Sequence, residues 1–318
     1  MKKKKIEVIG GGNGSAIVLV SLKKYIAKYD ITAAISMADS GGSSGRLRHE
    51  LSTLPPGDIM RAVLALSVYD YSTLRKIFYA PRFKKVGRLD SHNFGNLFLT
   101  LCTKYCGDFL AALDAFSQSI QAQGKVYPVT LSQVDLVAEL DNGELVHTEE
   151  FIDTPNYNRG WKIKKVWLKP KAEGFPPALK AIKSADYIIL SPGSLYTSLV
   201  ATLLPGGVKL AIKNSKAKII YVAGNAFRTD GETGPERLSD FVLQLEKYLP
   251  RSLDVVVYNN HKPQGSQEKK FYKEKKWGLV EFDEENLMNR EIVSKDLERS
   301  GGGMCDVKLG KLLKTILK

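Results

Sequence analysis

The stretch KIEVIGGGNGSAIVLVSLKKYIAKY, residues 5–29, decides the fold. Its first five residues, KIEVI, make a short run rich in β-branched side chains, the glycine run breaks that pattern at 10–14, and from Ser15 to Tyr29 apolar residues recur at helical spacing. Strand, glycine turn and helix make the opening unit of an α/β sheet. The next apolar run, ITAAISMA (31–38), predicts a second buried strand. It delivers Asp39 and the loop SGGSSG (40–45) at its carboxyl end, where ligands bind in such sheets.

Further along, DIMRAVLAL (58–66) predicts a helix with Asp58 placed to cap it, and a mainly helical region follows from about Tyr71 to Gln123. The pattern then changes to alternation in VDLVAEL (134–140), LVHTEEFI (145–152) and IKKVWL (163–168). The turn DNGE (141–144) between the first two is a hairpin signal. Short apolar runs of the kind buried on both faces resume at ADYIIL (185–190), KIIYVA (218–223) and DVVVYN (254–259). The expected fold class is therefore α/β: a Rossmann-like, doubly wound, mainly parallel sheet with an antiparallel insertion and a C-terminal helical tail. One domain is expected over residues 1–300, elaborated at about 125–168, then a glycine hinge and an amphipathic helix over 301–318.

Of the 318 residues, 43% are hydrophobic and 25% charged, which is the balance of a folding chain rather than a disordered one. Three cysteines make no even disulfide framework, so the cytoplasm is the expected compartment. Cys102 and Cys106 lie four apart on a helix face with no further ligands for zinc nearby, and read as core positions. Lys2 to Lys5 are followed by Glu7 and the glycine run, which excludes the apolar core of a signal peptide. No run of about 18 apolar residues exists to span a membrane. The formal net charge of +13 raises nucleic acid as a partner. The lysines are scattered, however, as in WKIKK (161–165) and EKKFYKEKK (268–276), and no nucleic-acid-binding signature accompanies them, so a solvated surface and no specific nucleic acid are expected.

Three strand-end turns carry the expected ligand site. Gly10, Gly11, Gly12, Asn13 and Gly14 precede a helix, whose free N–H groups and dipole suit a phosphate; tight packing alone is the alternative. In ADSGGSSGRLR, Asp39 stands where dinucleotide folds hold a ribose hydroxyl. Gly41, Gly42, Ser43 and Ser44 offer N–H groups and hydroxyls there, and Arg46 and Arg48 fixed charge. The same stretch matches G-x-S-x-G about Ser43, but none of His49, His92, His147 and His261 has an evident place as its base in the sequence. In SPGSLYTSL (191–199), Gly193 and Ser194 form a turn that presents the N–H groups of Tyr196 and Thr197. Asp58 is a candidate catalytic residue, a metal or hydroxyl ligand with Arg61 one turn on, or a cap. His92, Asn93 and Asn96 open a helix, either touching a base or ribose or serving as loop and cap. Three such turns together imply an extended polyphosphate ligand, a nucleotide diphosphate or nucleotide sugar. No cofactor is fixed by these residues, magnesium being the candidate, and self-association is left open.

GGGNG (10–14), ADSGGSSGRLRHEL (38–51), LPPGDI (54–59), HNFGNL (92–97), PVTL (128–131), LSPGSLYTSL (190–199) and YVAGNAFRTDGET (221–233) also carry a family resemblance. The chain resembles the YvcK-type gluconeogenesis factors, relatives of the CofD-like phospholactate transferases, from about Ile6 to Thr233. The resemblance implies a CofD-like fold, a nucleotide sugar such as UDP-N-acetylglucosamine as ligand, and a regulatory role coupling carbon metabolism to cell-wall synthesis and cell shape. It adds Asn225 to the expected site. In the CofD branch the implied activity is metal-dependent transfer of a phospholactyl group from a nucleotide diphosphate. Asp58 matches one implied metal position, and Ser40 stands where the family usually has a second acid. Asn13 replaces a common threonine, and the tail beyond about Gln267 matches no part of the family pattern.

Overall fold

The computed structural model describes residues 2–80 and 82–318. The opening unit forms β1 (Lys4–Gly10) and α1 (Gly12–Lys23), followed by β2 (Tyr29–Ile35). Helix α1 starts earlier and stops earlier than its apolar spacing predicts, because Tyr29 is taken into β2 as a buried core side chain. Along β1 the alternation sends Ile9 to one face of the sheet and Ile6 and Val8 to the other, and each face has its own apolar core. Burial on both faces is what a parallel sheet covered by crossover helices requires.

The segment Ser40–Gly45 is not a loop: α2 (Gly42–Leu51) begins inside it, and α3 (Gly57–Leu66) follows at once. Lys125–Pro128 is β3, which pairs parallel with β2 at the edge of the main sheet, so the antiparallel insertion begins later than expected. It consists of β4 (Asp135–Leu140), β5 (Leu145–His147) and β6 (Ile163–Lys169), with β4 central. The predicted second arm of the hairpin ends at His147, and Glu149–Asp153 forms a short helix instead of continuing the strand. That change of direction turns a carboxylate-rich segment toward the main sheet.

β7 (Tyr187–Leu190), β8 (Lys218–Ala223), the short β9 (Ala226–Arg228) and β10 (Val255–Asn259) follow. β11 (Trp277–Leu279) pairs antiparallel with β9, and β12 (Glu291–Lys295) closes the main sheet. The seven-stranded order is β12-β10-β8-β7-β1-β2-β3, all neighbours parallel. The chain winds outward from β1 to β3, returns, and winds outward again from β7 to β12. A crevice therefore opens at the carboxyl ends of β1 and β7, where successive connections leave in opposite directions. The C-terminal helix Asp306–Ile316 does not hang from a free hinge. It packs on α1, burying Leu309, Gly310 and Leu313 in the same core as Ile6 and Val8. Of the paired cysteines, Cys102 is half-buried and Cys106 exposed, so only the first has a core role. Among the described residues no helix is long and apolar enough to cross a membrane.

Candidate functional site

The glycine run divides its labour. A side chain on Gly14 would overlap the Pro192 carbonyl, and one on Gly10 would overlap the Ser191 hydroxyl, so these two glycines let α1 and the turn after β7 approach closely. Gly11 and Gly12 face the crevice instead. The Cβ position of Gly11 lies 2.6 Å from Asp58 Oδ2 and that of Gly12 lies 3.5 Å from Arg61 Nη1. The N-terminus of α1 is thus bordered by one carboxylate and one guanidinium.

Asp58 does not cap α3. The cap position is Pro56, without a side-chain hydrogen bond, and Asp58 sits in the first turn with its carboxylate 3.4 Å from Arg61 Nη1. Burial pushes the Asp39 carboxyl up to about 6, reinforced by the neighbouring negative charge of Asp58 and opposed by Arg61. Glu149, from the short helix of the insertion, is raised well above the usual carboxylate range by burial and by Asp39 and Asp153. Its Oε2 accepts the Ser40 N–H at 3.2 Å. The Ser40 hydroxyl in turn accepts the Glu150 N–H at 3.0 Å, so that side chain is engaged at the start of the short helix. Asp39, Asp58 and Glu149 converge, and burial together with their mutual repulsion favours the protonated forms of Asp39 and Glu149. Among the described residues, no group of three or more His, Cys, Asp or Glu side chains is arranged to hold an ion unaided.

A cleft of about 290 Å³ lies over these groups, lined by Asp39, Gly41 to Ser44, Arg61, Tyr79, Arg82, Asn96, Glu149, Glu150, Asp153 and Thr154. Helix α2 contributes its first turn. Ser43 Oγ lies 2.8 Å from His92 Nδ1 and accepts from Asn96 Nδ2 at 3.0 Å. His92 thus supplies the base position that the sequence alone did not reveal beside Ser43. Asn93 is a cap, its Oδ1 accepting the Asn96 N–H at 2.8 Å. Several buried polar atoms near the cleft have no partner: Arg61 Nε, Asn93 Nδ2, Asn96 Oδ1 and Ser191 Oγ. Such atoms mark where a ligand or ordered water completes a site.

Other expected contributors are engaged elsewhere. Arg46 donates to the Asp90 carbonyl and Arg48 to Asp135 at the start of β4, and neither lines the cleft. The cleft's cations are Arg61, whose guanidinium stacks 4.3 Å over Tyr79, and Arg82. Beside them, Arg228 binds Asp153 at 2.7 Å. After β7, Gly193 takes a φ of +151° and Ser194 donates to Asp153 at 3.3 Å. The N–H groups of Tyr196 and Thr197, expected to be open to phosphate, are already taken by the Glu232 carboxylate at 3.1–3.2 Å. Burial raises that carboxyl to about 7. Asn225 is also engaged, donating to the His261 carbonyl at 2.8 Å and the Tyr272 hydroxyl at 2.7 Å.

A family model described as 2-phospho-L-lactate transferase CofD matches residues 6–298. The chain belongs to the CofD family. The match extends beyond Gln267, so most of the basic tail is part of the CofD pattern after all. The gluconeogenesis factor of Bacillus subtilis is 36% identical over 295 residues, 92% of this chain and 90% of that one. A Thermotoga maritima relative is 41% identical over 285 residues, 90% of this chain and 88% of its own length. A crystal structure of a UPF0052-family protein from Bacillus halodurans superposes with a TM-score of 0.89 at 33% identity, over the full length of both chains.

Proposed function

We propose that this CofD-family chain is a cytoplasmic nucleotide-sugar-binding regulator, with a UDP-N-acetylglucosamine-like ligand, that ties gluconeogenic carbon metabolism to cell-wall synthesis and cell shape. The gluconeogenesis factors among its relatives support the link to carbon metabolism. The observation that carries the ligand is the pair of helix N-termini, α1 at Gly11–Gly12 and α2 at Gly42–Ser44, beside Arg61 and a set of unpartnered buried polar atoms. Two N-termini with an adjacent arginine suit a diphosphate. Calorimetric titration against UDP-N-acetylglucosamine, UDP-glucose, NAD and a random oligonucleotide, each with and without magnesium, tests it. Binding of the UDP-sugars alone supports the reading, and binding of the oligonucleotide alone sinks it.

A second reading, a CofD-like metal-dependent transferase acting on a nucleotide diphosphate donor, is favoured by the convergence of Asp39 and Asp58. Magnesium is commonly held by one or two carboxylates with the remaining positions given to phosphate and water, and these two side chains fit that donor set. Glu149 places a third carboxyl group beside Ser40, with its Oε2 accepting the Ser40 N–H. The substitution Ser40→Asp separates the readings. The added carboxylate should weaken nucleotide binding several-fold in chelator, with binding restored in magnesium. Equal affinity of both proteins in both buffers removes magnesium from the site.

A further inference from the structure

Ser43, His92 and Asn96 form a hydrogen-bonded cluster at the edge of the proposed nucleotide cleft, and binding a diphosphate does not by itself call for the Ser43–His92 pairing. All three side chains are buried, and the serine and the asparagine line the cleft. Asn96 Nδ2 donates to Ser43 Oγ at 3.0 Å, which leaves the serine's own proton directed to His92 Nδ1 at 2.8 Å. Asn96 is fixed in turn at the start of the helix Phe94–Cys106, its N–H bound to Asn93 Oδ1. A serine that accepts from an amide and donates to an imidazole has the hydrogen-bond pattern of an activated nucleophile with its base. Ser43 also stands in the first turn of α2, a ten-residue helix whose N-terminal N–H groups and dipole favour negative charge developing beside that turn. Burial, together with the positive charge of Arg46, holds the ring of His92 below the usual imidazole range, so it is neutral and able to accept a proton at neutral pH.

We propose that Ser43 is a nucleophile with His92 as its base, and that it accepts a sugar-bearing phosphoryl group from the diphosphate of a nucleotide sugar bound in the cleft. For the natural ligand the inference rests on the nucleotide-sugar reading. Ser43 Oγ bonds to the β phosphorus, the bond from that phosphorus to the α–β bridging oxygen breaks, and the nucleoside monophosphate departs. The serine proton passes to His92 Nδ1 and from there to the departing phosphate. What stays on Ser43 is a sugar phosphodiester, so the protein records its ligand covalently.

The nucleophile can be tested without the natural ligand. A small alkyl fluorophosphonate forms an Oγ–P bond with loss of fluoride, and peptide mass spectrometry locates the adduct. The expected result is labelling at Ser43 in the wild type, no adduct at residue 43 in Ser43→Ala, and labelling slowed at least 100-fold in His92→Gln, the size of a lost general base. Circular dichroism and thermal midpoint monitor folding of each variant. If His92→Gln does not fold, the wild type decides alone. Absence of an adduct at Ser43 in the folded wild type, or a rate unchanged in His92→Gln, overturns the proposal. Incubation with UDP-N-acetylglucosamine, read as a mass increase on Ser43 and release of UMP, gives the second arm. Fluorophosphonate labelling without calorimetric binding of any nucleotide would keep the nucleophile and reject the nucleotide-sugar reading.

Discussion

The two sides of the switch point treat buried polar groups in opposite ways. On the β1–β2 side, around Asp39, Asp58 and Asn96, carboxylates crowd one another and several donors and acceptors lack partners. On the β8–β10–β12 side the polar groups close on themselves. Asn225 binds Tyr272 and His261, Asn259 binds Glu298 at 2.8 Å, and His261 Nε2 lies 3.0 Å from Glu268. Among the described residues, no buried side-chain atom without a partner lies beyond Ser191. A region whose hydrogen bonds are complete holds structure, whereas one with unmatched charge and open donors gains most from a ligand.

The comparison breaks most visibly at Gly11. In Gly11→Asp the new Cβ starts 2.6 Å from Asp58 Oδ2 and carries a second negative charge to the N-terminus of α1. Nucleotide affinity should fall more than 100-fold while circular dichroism stays native. Undiminished affinity in the folded variant would remove α1 from the site.

The opposite outcome is expected at Asn225. In Asn225→Ala the half-buried His261 carbonyl loses its amide donor and the Tyr272 hydroxyl keeps only its bond to Glu298, and lost hydrogen bonds of this kind cost about 1 kcal/mol each. Denaturant unfolding should register that loss, with nucleotide affinity held within about twofold. A variant of native stability that has lost its ligand would return Asn225 to the binding site.

A smaller effect separates Glu232 from a ligand phosphate. Its folded carboxyl is raised from 4.5 to about 7, so the folded state holds a proton that the unfolded chain releases. Its contribution to stability is therefore complete below about 4.5 and is lost as pH rises toward 7. Glu232→Gln keeps an acceptor for the Tyr196 and Thr197 N–H groups but cannot ionise. Between pH 4.5 and 7 the variant should lose less stability than the wild type, read as the shift of the urea midpoint. Parallel curves would mean that Glu232 is not buried at that helix start.

What the sequence made legible follows from range. β1, its glycine turn and the β7, β8 and β10 strands were readable because local apolar runs and breakers specify them. Asp39, Ser43 and Asp58 stood out as candidates because strand ends and helix starts concentrate ligand chemistry. Glu149 and Glu232 were not, because each reaches its partner across the fold: Glu149 accepts from Ser40 and Glu232 from Tyr196. One local signal was present in HTEEFID (147–153), where acids follow a threonine as they do in a first helical turn, competing with the strand pattern before it. His92 was visible as a residue, but its alignment on Ser43 depends on how α2 meets the helix Phe94–Cys106, which no periodicity specifies.

Amide hydrogen exchange with and without saturating UDP-N-acetylglucosamine tests the contrast between the two sides most directly. New protection should concentrate at residues 11–14, 41–45 and 57–61, and should be absent at 196–197 and 256–272, where carboxylates and side-chain amides already complete the network. Protection confined to 196–197 and 225–272, with the α1 and α2 starts unchanged, would contradict the account and place the ligand on the β8–β10 side.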